Sequence, residues 1–464
     1  MFQESPNESI NDAPSAASPP AYHILSLRQK WNLVVFGIAP SMFGAFSDSY
    51  GRRLTFATCL TIYTAANLAL ALTSSYGMLM VLRAIQAAGS AATISISAGV
   101  IADIALPEER GGFMVTNAGV RMLGQAVDPV SGGLLNSAWG FRSLFWFLFV
   151  FSMVVVGSLL IFLPETLRSI AGNGSIPLSG FHEPFFYILR PPQAWVSPSA
   201  VCSSKPPSPL SFKKALQPLA YIFEKDIATL LAWGSIAYIA WSMVTSSTTT
   251  MLLRGFPYLT QWQIGLCFLP NGAGCICGSL STGCLLDRSF QQAVSRYKAE
   301  HGTEELSDIH RAVQFPFIKA RLRLMPLFSA ILEISLALYG PSFEFNDLRR
   351  HFTPNLAAPL VLQFVIAFTA TAIFNINSTV LIDCFPDRPA RATALNNLCR
   401  CLLGAAGVSS IQPLIPAVKA MVAFLIVTGV VVLFTPLVWV EWKWGESWRR
   451  ERDHRVAKQK ATAQ

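Results

Sequence analysis

Charge is scarce in this sequence. Only 13% of its 464 residues are Asp, Glu, Lys or Arg, against about a quarter in a soluble globular chain, which argues against a large soluble enzyme with buried core helices. The six histidines all lie outside the apolar runs, which removes the usual metal ligand and proton relay from a membrane interior. The nine cysteines are scattered, several of them inside apolar runs and without CxxC or Cys/His spacing; neither a metal cluster nor a disulfide framework is expected. No P-loop and no nucleophile constellation occurs, so ATP-driven and catalytic readings fall away. The first 20 residues are rich in Ser, Pro and Asn and lack a basic stretch leading into an apolar one. They read as a disordered tail rather than a cleavable signal peptide.

What the chain does have is long apolar runs. Hydrophobic residues make up 52% of it and the mean hydropathy is +0.44. Runs separated by short polar turns recur from 54 to 442, the pattern of a polytopic α-helical membrane protein. Residues 141–163, FRSLFWFLFVFSMVVVGSLLIFL, have the length of a bilayer crossing and one charge near an end. Ten spans are expected: 54–74, 77–102, 112–137, 141–163, 226–252, 262–286, 322–341, 355–382, 392–415 and 421–442. A shorter candidate at 31–46 precedes them.

With ten spans, the loop at 44–53 and the C-terminal tail share a side. Of the 35 Lys and Arg, 25 then fall on that side and 5 on the other; the remaining five are Arg28 and Lys30 in the N-terminal tail and Arg83, Arg121 and Arg400 within spans. That excess makes the shared side cytoplasmic. The net charge of +9 is thus a topology signal, and nucleic acid is discarded as a partner. The expected organisation is a tail at 1–30, a first helical bundle at 31–163 truncated at its start, and a Pro/Ser-rich cytoplasmic linker at 164–225. A second bundle at 226–442 follows, with a cytoplasmic insert at 287–323, and a basic cytoplasmic tail at 443–464 that meets anionic lipid.

The two halves echo each other. Asp103 stands at a span end with Arg121 beyond it, and Asp383 stands likewise before Arg400; each arginine is soon followed by Leu-Gly. Gly44-x3-Asp48 reappears as Gly283-x3-Asp287. Paired repeats in a membrane bundle are the architecture of secondary transporters, with the substrate between the halves near the midplane; chance similarity among helices of biased composition is the alternative.

Several motifs together resemble the major facilitator superfamily. GAFSDSYGRR (44–53) resembles its loop signature between the second and third helices, and RAIQAAGSAA (83–92) its fourth-helix Arg-x-x-Gln-x-x-Gly motif. LGQAVDPVSGG (123–133) is similar to its fifth-helix antiporter motif. LPETLRSIAGNGS, FPFIKARLR and FPDRPARATALNNLCRCLLGAAG are similar to the fungal twelve-helix drug:proton antiporters of the quinidine-resistance-like group. The resemblance spans about 44–442 and implies an all-α fold of two pseudo-symmetric bundles with about 10–11 of the usual 12 helices. It further implies that the first helix is lacking, because 31–46 runs from the start of a first helix into the latter half of a second, and 16 residues are marginal for a crossing.

The resemblance also assigns roles. Gly44, Asp48, Gly51, Arg52 and Arg53 form a cytoplasmic latch, closed in the outward-facing state; the alternative is that the arginines only anchor the helix. Arg83 takes part in proton coupling; burying it costs about 2.5–3.5 kcal/mol, so it should face a cavity with a partner. Gln86 and Ser90 share its helix face. Gly124, Pro129, Gly132 and Gly133 let helices approach closely, although Asp128 replaces a motif glycine. Asp128 lies two turns from Arg121 on roughly one face, so an ion pair with a coupling role is one reading and a local packing defect the other. Glu333, the only acid deep in its run, is a candidate proton carrier. Asn396, Arg400 and Gly404 share a face of the eleventh helix, and Trp233, Tyr238 and Asn271 are candidate cavity walls suited to apolar or cationic solutes.

The expected protein is thus a monomeric plasma-membrane antiporter without cofactors. It exchanges protons for small organic molecules such as drugs, toxins, fungal metabolites or polyamines. A transport-inactive, transporter-derived regulator or nonfunctional truncation is the competing expectation.

Overall fold

The computed structural model describes residues 47, 50–105, 110–172, 182–186, 224–301, 317–348, 356–384 and 389–462. The tail at 1–30, the short run at 31–46, Gly44 and Asp48, and most of the 164–225 linker lie outside them.

All regular structure among the described residues is helical. The first half holds four long helices: α1 (Arg52–Leu72), α2 (Tyr76–Ile104), α3 (Arg110–Trp139) and α4 (Phe141–Phe162), then a single turn, α5 (Arg168–Ala171). The second half begins with α6 (Lys225–Gly255), the short α7 (Gln261–Leu266) and α8 (Leu269–His301). It continues with α9 (Phe317–Leu322), α10 (Met325–Leu348), α11 (Ala357–Cys384), α12 (Pro389–Phe434) and α13 (Pro436–Thr462).

Among the described residues, seven runs are long and apolar enough to cross a membrane. They cover eight of the ten expected spans, because Leu395–Arg452 is a single run of 58 residues. At 1.5 Å per residue it would measure about 87 Å, nearly three bilayer cores. It is divided by backbone: Lys419, with φ 64° and ψ 162°, is non-helical inside α12. Lys419 is also the described chain's one non-glycine residue at positive φ. The remaining two expected spans, 77–102 and 112–137, are the 29-residue α2 and the 30-residue α3.

Apolar residues point outward where the helices meet lipid. On α4, Trp146, Phe147, Val150, Phe151 and Val154 are all exposed, an arrangement that water would oppose and a bilayer core favours. The second half packs a large core around Trp233, Tyr339, Phe256 and Phe424. Glycines set several close helix contacts there: a Cβ on Gly278 would meet Phe368 backbone of α11, and one on Gly340 would meet the Ala420 carbonyl at 2.7 Å.

The halves meet through α3 against α7 and α8, and through α2 against α12. Since α2 ends at the loop where Asp103 binds Arg52, α3 starts at that basic end and finishes at the opposite one. Its last turns carry the contact. A Cβ on Gly265 of α7 would stand 2.7 Å from the Pro129 carbonyl, and one on Gly133 would stand 3.1 Å from the Gln261 carbonyl. The Asn136 side-chain amide donates to Gln261 Oε1 at 2.5 Å.

Candidate functional site: a charged end and two membrane arginines

At the basic end of the first half, the loop before α1 turns through Gly51 at φ +106°, a conformation that strains any residue with a Cβ. The turn leaves the first backbone N–H groups of α1 without helical partners, and Glu165 supplies them. Its carboxylate accepts from the backbone N–H of Arg52 at 2.8 Å and of Arg53 at 3.3 Å. It also accepts from those of Thr166 and Leu167, each at 3.0 Å. His182 Nδ1 lies 3.2 Å from the same carboxylate. Burial pushes the Glu165 carboxyl up, but the His182 bond and the backbone donors outweigh it and hold the group below the ordinary carboxylate range. The bond to Glu165 raises His182 above its usual value.

Both arginines of the loop are buried. Arg52 Nε pairs with Asp103 Oδ2 at the end of α2, at 2.8 Å, and its Nη1 donates to Ser47 at 3.0 Å. A Gly99 Cβ would stand 2.7 Å from the Arg52 guanidinium carbon, so this glycine is required by the arginine's path. Arg53 Nη2 donates to the Leu160 carbonyl at 2.6 Å.

The second half repeats the plan. Arg321 at the end of α9 pairs with Asp383 at the end of α11, 3.2 Å apart. Glu446 on α13 accepts from the backbone N–H of Ile318 at 2.9 Å, as Glu165 does from Arg52. Arg452 Nη1 and Asp226 Oδ2 are 2.5 Å apart, joining α13 to the start of α6. Sequence reasoning marked Asp103 and Asp383 but missed their partners, and missed Glu165 and Glu446 altogether. The signal was present: each carboxylate follows the last span of its half.

Within the spans, Arg83 Nη1 donates to Gln86 Oε1 at 3.0 Å, which is the shared helix face read from sequence. Gln86 in turn donates to Asn67 Oδ1 on α1 at 2.6 Å. Asn67, fully buried, was not anticipated. The Arg83 guanidinium also lies 4.8 Å from the Phe145 ring centre. Ser90 is bonded only to its own helix, at Ala87 O. Asp128 is exposed; the side chains of Arg121 and Gln125 lie outside the described residues, so the expected Arg121–Asp128 pair does too.

The glycines of the fifth-helix motif divide. Gly133 makes a close approach, Gly132 an ordinary contact with Leu144 at 3.7 Å, and a Cβ on Gly124 would meet nothing. Pro129 sits inside α3 with its carbonyl against Gly265. Glu333 accepts a hydrogen bond from Thr435, at the break between α12 and α13; among the described residues no bond joins it to Arg83 or Arg400.

Arg400 lies over the Tyr238 ring at 4.6 Å and the Phe374 ring at 4.3 Å, and its Nε is buried without a hydrogen-bond partner. Asn396, one turn earlier, is buried with its amide nitrogen unpartnered. Asn271 accepts from Trp241 Nε1 at 3.0 Å. Trp233 is only 2% exposed and packs in the large core of the second half.

Two related bundles of long apolar helices, each with a charged end and an intramembrane arginine, define a polytopic transporter of the membrane. The chain belongs to the Major Facilitator Superfamily, whose model matches residues 18–408. Citrate exporter 1 of Aspergillus niger is 45% identical over 426 residues, 91% of this chain and 79% of the relative. The multidrug transporter QDR2 of Candida glabrata is 30% identical over 411 residues, 83% of this chain and 68% of the relative. The solved human organic anion transporter MFSD10 (TETRAN) superposes with a TM-score of 0.52 at 16% identity, covering 88% of this chain and 82% of that one, a likeness of fold. The protein is therefore a transporter of this superfamily, embedded in a membrane by many helices.

Proposed function

We propose that this chain is a proton-coupled antiporter of the plasma membrane that exports small organic molecules. The cargo set includes drugs, toxins, fungal secondary metabolites and polyamines, and the citrate-exporting relative extends it to organic acids. The observation that carries the reading is the presence in each half of an intramembrane arginine on a polar helix face: Arg83 with Gln86 and Asn67, and Arg400 with Asn396. An arginine inside a span is costly unless it finds a partner or a cavity, and such residues mark substrate and ion pathways.

In this reading the basic end is cytoplasmic and the Arg52–Asp103 and Arg321–Asp383 clusters are the gating apparatus of that end. The halves touch at the far, extracellular end, through Pro129, Gly133, Asn136, Gln261 and Gly265. Rocking about a site between them exchanges access from one face to the other. Arg83 biases proton uptake on the first half; Asp128 and Glu333 are the acids available to carry protons.

Proteoliposomes with an imposed pH gradient and a panel of radiolabelled cargoes test this. Export against a concentration gradient, collapsed by a protonophore and lost in Arg83→Gln, is expected. Gradient-independent flux, or no flux for any cargo by protein that is folded and inserted, overturns it.

A further inference from the structure

The chemistry around Arg400 specifies what that site holds. Three helices of the second half converge in two successive layers. In the first, Tyr238 of α6 and Phe374 of α11 contact the Arg400 guanidinium. Tyr238 also packs against Trp241, with ring centres 5.5 Å apart. One turn toward the basic end on each helix stand Gly234, Asn377 and Asn396. The Asn377 amide occupies the place where a Gly234 side chain would begin, so that glycine admits it.

Asn377 is fully buried and Asn396 is 2% exposed. Neither side-chain atom of Asn377, nor the amide nitrogen of Asn396, nor Arg400 Nε has a hydrogen-bond partner. A native interior leaves few such atoms unmatched. Three of these four atoms are donors, and no carboxylate among the described residues pairs with Arg400. Arg83, the other membrane arginine described, is partnered: it donates to Gln86, which donates to Asn67.

Aromatic rings against the guanidinium leave its in-plane N–H edge as the part able to bind. That edge matches the two oxygens of a carboxylate. An intramembrane arginine without a protein counter-charge is also the group that most needs an anion. We propose that Arg400, Asn377 and Asn396 form an anion site of the second half that binds a carboxylate of the transported molecule, which narrows the cargo set proposed above to its organic acids and removes polyamines and neutral drugs from it. This deepens the export reading and rests on it only for the word transported.

The whole chain, purified into phosphatidylcholine nanodiscs that contain no carboxylate lipid, is titrated calorimetrically with tricarballylate, its neutral triamide and spermidine. Tricarballylate is expected to bind, and neither the triamide nor spermidine to compete. Arg400→Gln should weaken binding about tenfold or more. Arg400→Lys, which keeps the charge but not the fork, should fall between, and Asn396→Ala should lose several-fold. Wild-type affinity in Arg400→Gln with an unchanged melting profile overturns the proposal, as does equal binding of the triamide or spermidine. Should Arg400→Gln fail to fold, wild-type affinity in both Arg400→Lys and Asn396→Ala overturns it. The export reading fails separately: acid binding through Arg400 with no flux in proteoliposomes sinks export and leaves this site standing. Export of a neutral or cationic cargo with no acid binding does the reverse.

Discussion

Gly51 is the residue on which the first half's charged end turns. Its φ of +106° excludes a Cβ by strain, and the space is also taken: an added Cβ would stand 3.1 Å from His182 Cε1 and collide with the Glu165 carboxylate. Gly51→Ala should lower stability by about 1–3 kcal/mol, read as a fall in melting temperature. Gly77→Ala, where nothing lies within 4 Å, is the control expected to show no loss. The Glu165–His182 pair makes a pH prediction at the same scale. Glu165 is held below its ordinary value of 4.5, so its contribution is present above that pH and fades as pH falls further. His182 is raised above 6.5, so its contribution is present below that pH and fades as pH rises past its folded value. Melting temperature against pH should therefore peak between them. His182→Asn should remove the alkaline decline and shrink the acid one, which the backbone donors to Glu165 then carry alone; an unchanged alkaline limb refutes the assignment. Residues with a one-letter signature were legible in sequence, such as the Gly51-Arg52-Arg53 turn and the Arg83/Gln86 face. Asn67, Glu165 and Glu446 were not, because each acts through a contact between helices far apart in the chain. The burial of Trp233 was not legible for the complementary reason: an aromatic in a span looks the same whether it faces a cavity or a core.

Among elements, α12 shows best what hydropathy conveys and what it conceals. The apolar run announced two spans, and the sequence placed their division near 416–420, where Pro413 and Pro416 precede the break. It gave no sign that Lys419 itself would hold the non-helical angles, since prolines disrupt the residues that follow only through tertiary context. That conformation is nearly exclusive to glycine, so Lys419→Gly should raise stability by about 1 kcal/mol, visible as a higher denaturation midpoint. A lowered midpoint would show that the lysine side chain stabilises the break by more than its backbone strain costs. Two other boundaries moved for a simpler reason. Helix α8 continues to His301 and α13 to Thr462, past the apolar residues, because helix formation does not stop at the edge of a hydrophobic run. At 33 residues α8 is about 50 Å long, well beyond a core of about 30 Å.

For the whole molecule, the two-bundle plan was readable from the spacing of the apolar runs and the echo of Asp103 in Asp383. Which end of the bundles would be joined was not, since the join is made by the backbone of Pro129 and Gly265 and by two amides. Cysteines at 136 and 261, introduced into a background without the native nine, should cross-link across the halves. Flux should then stop under oxidation and recover with reductant. Retained flux in fully cross-linked protein would show that the halves need not part there.

The contacts of that join named above are backbone and amide groups, whereas the other end carries ion pairs within each half, Arg52–Asp103 in the first and Arg321–Asp383 and Arg452–Asp226 in the second. Screening and protonation therefore act at the charged end, and on these buried pairs chiefly when its opening exposes them. Raising ionic strength should alter the rate at which the charged face opens and leave the neutral face's opening untouched, so salt becomes a means of timing the two gates independently.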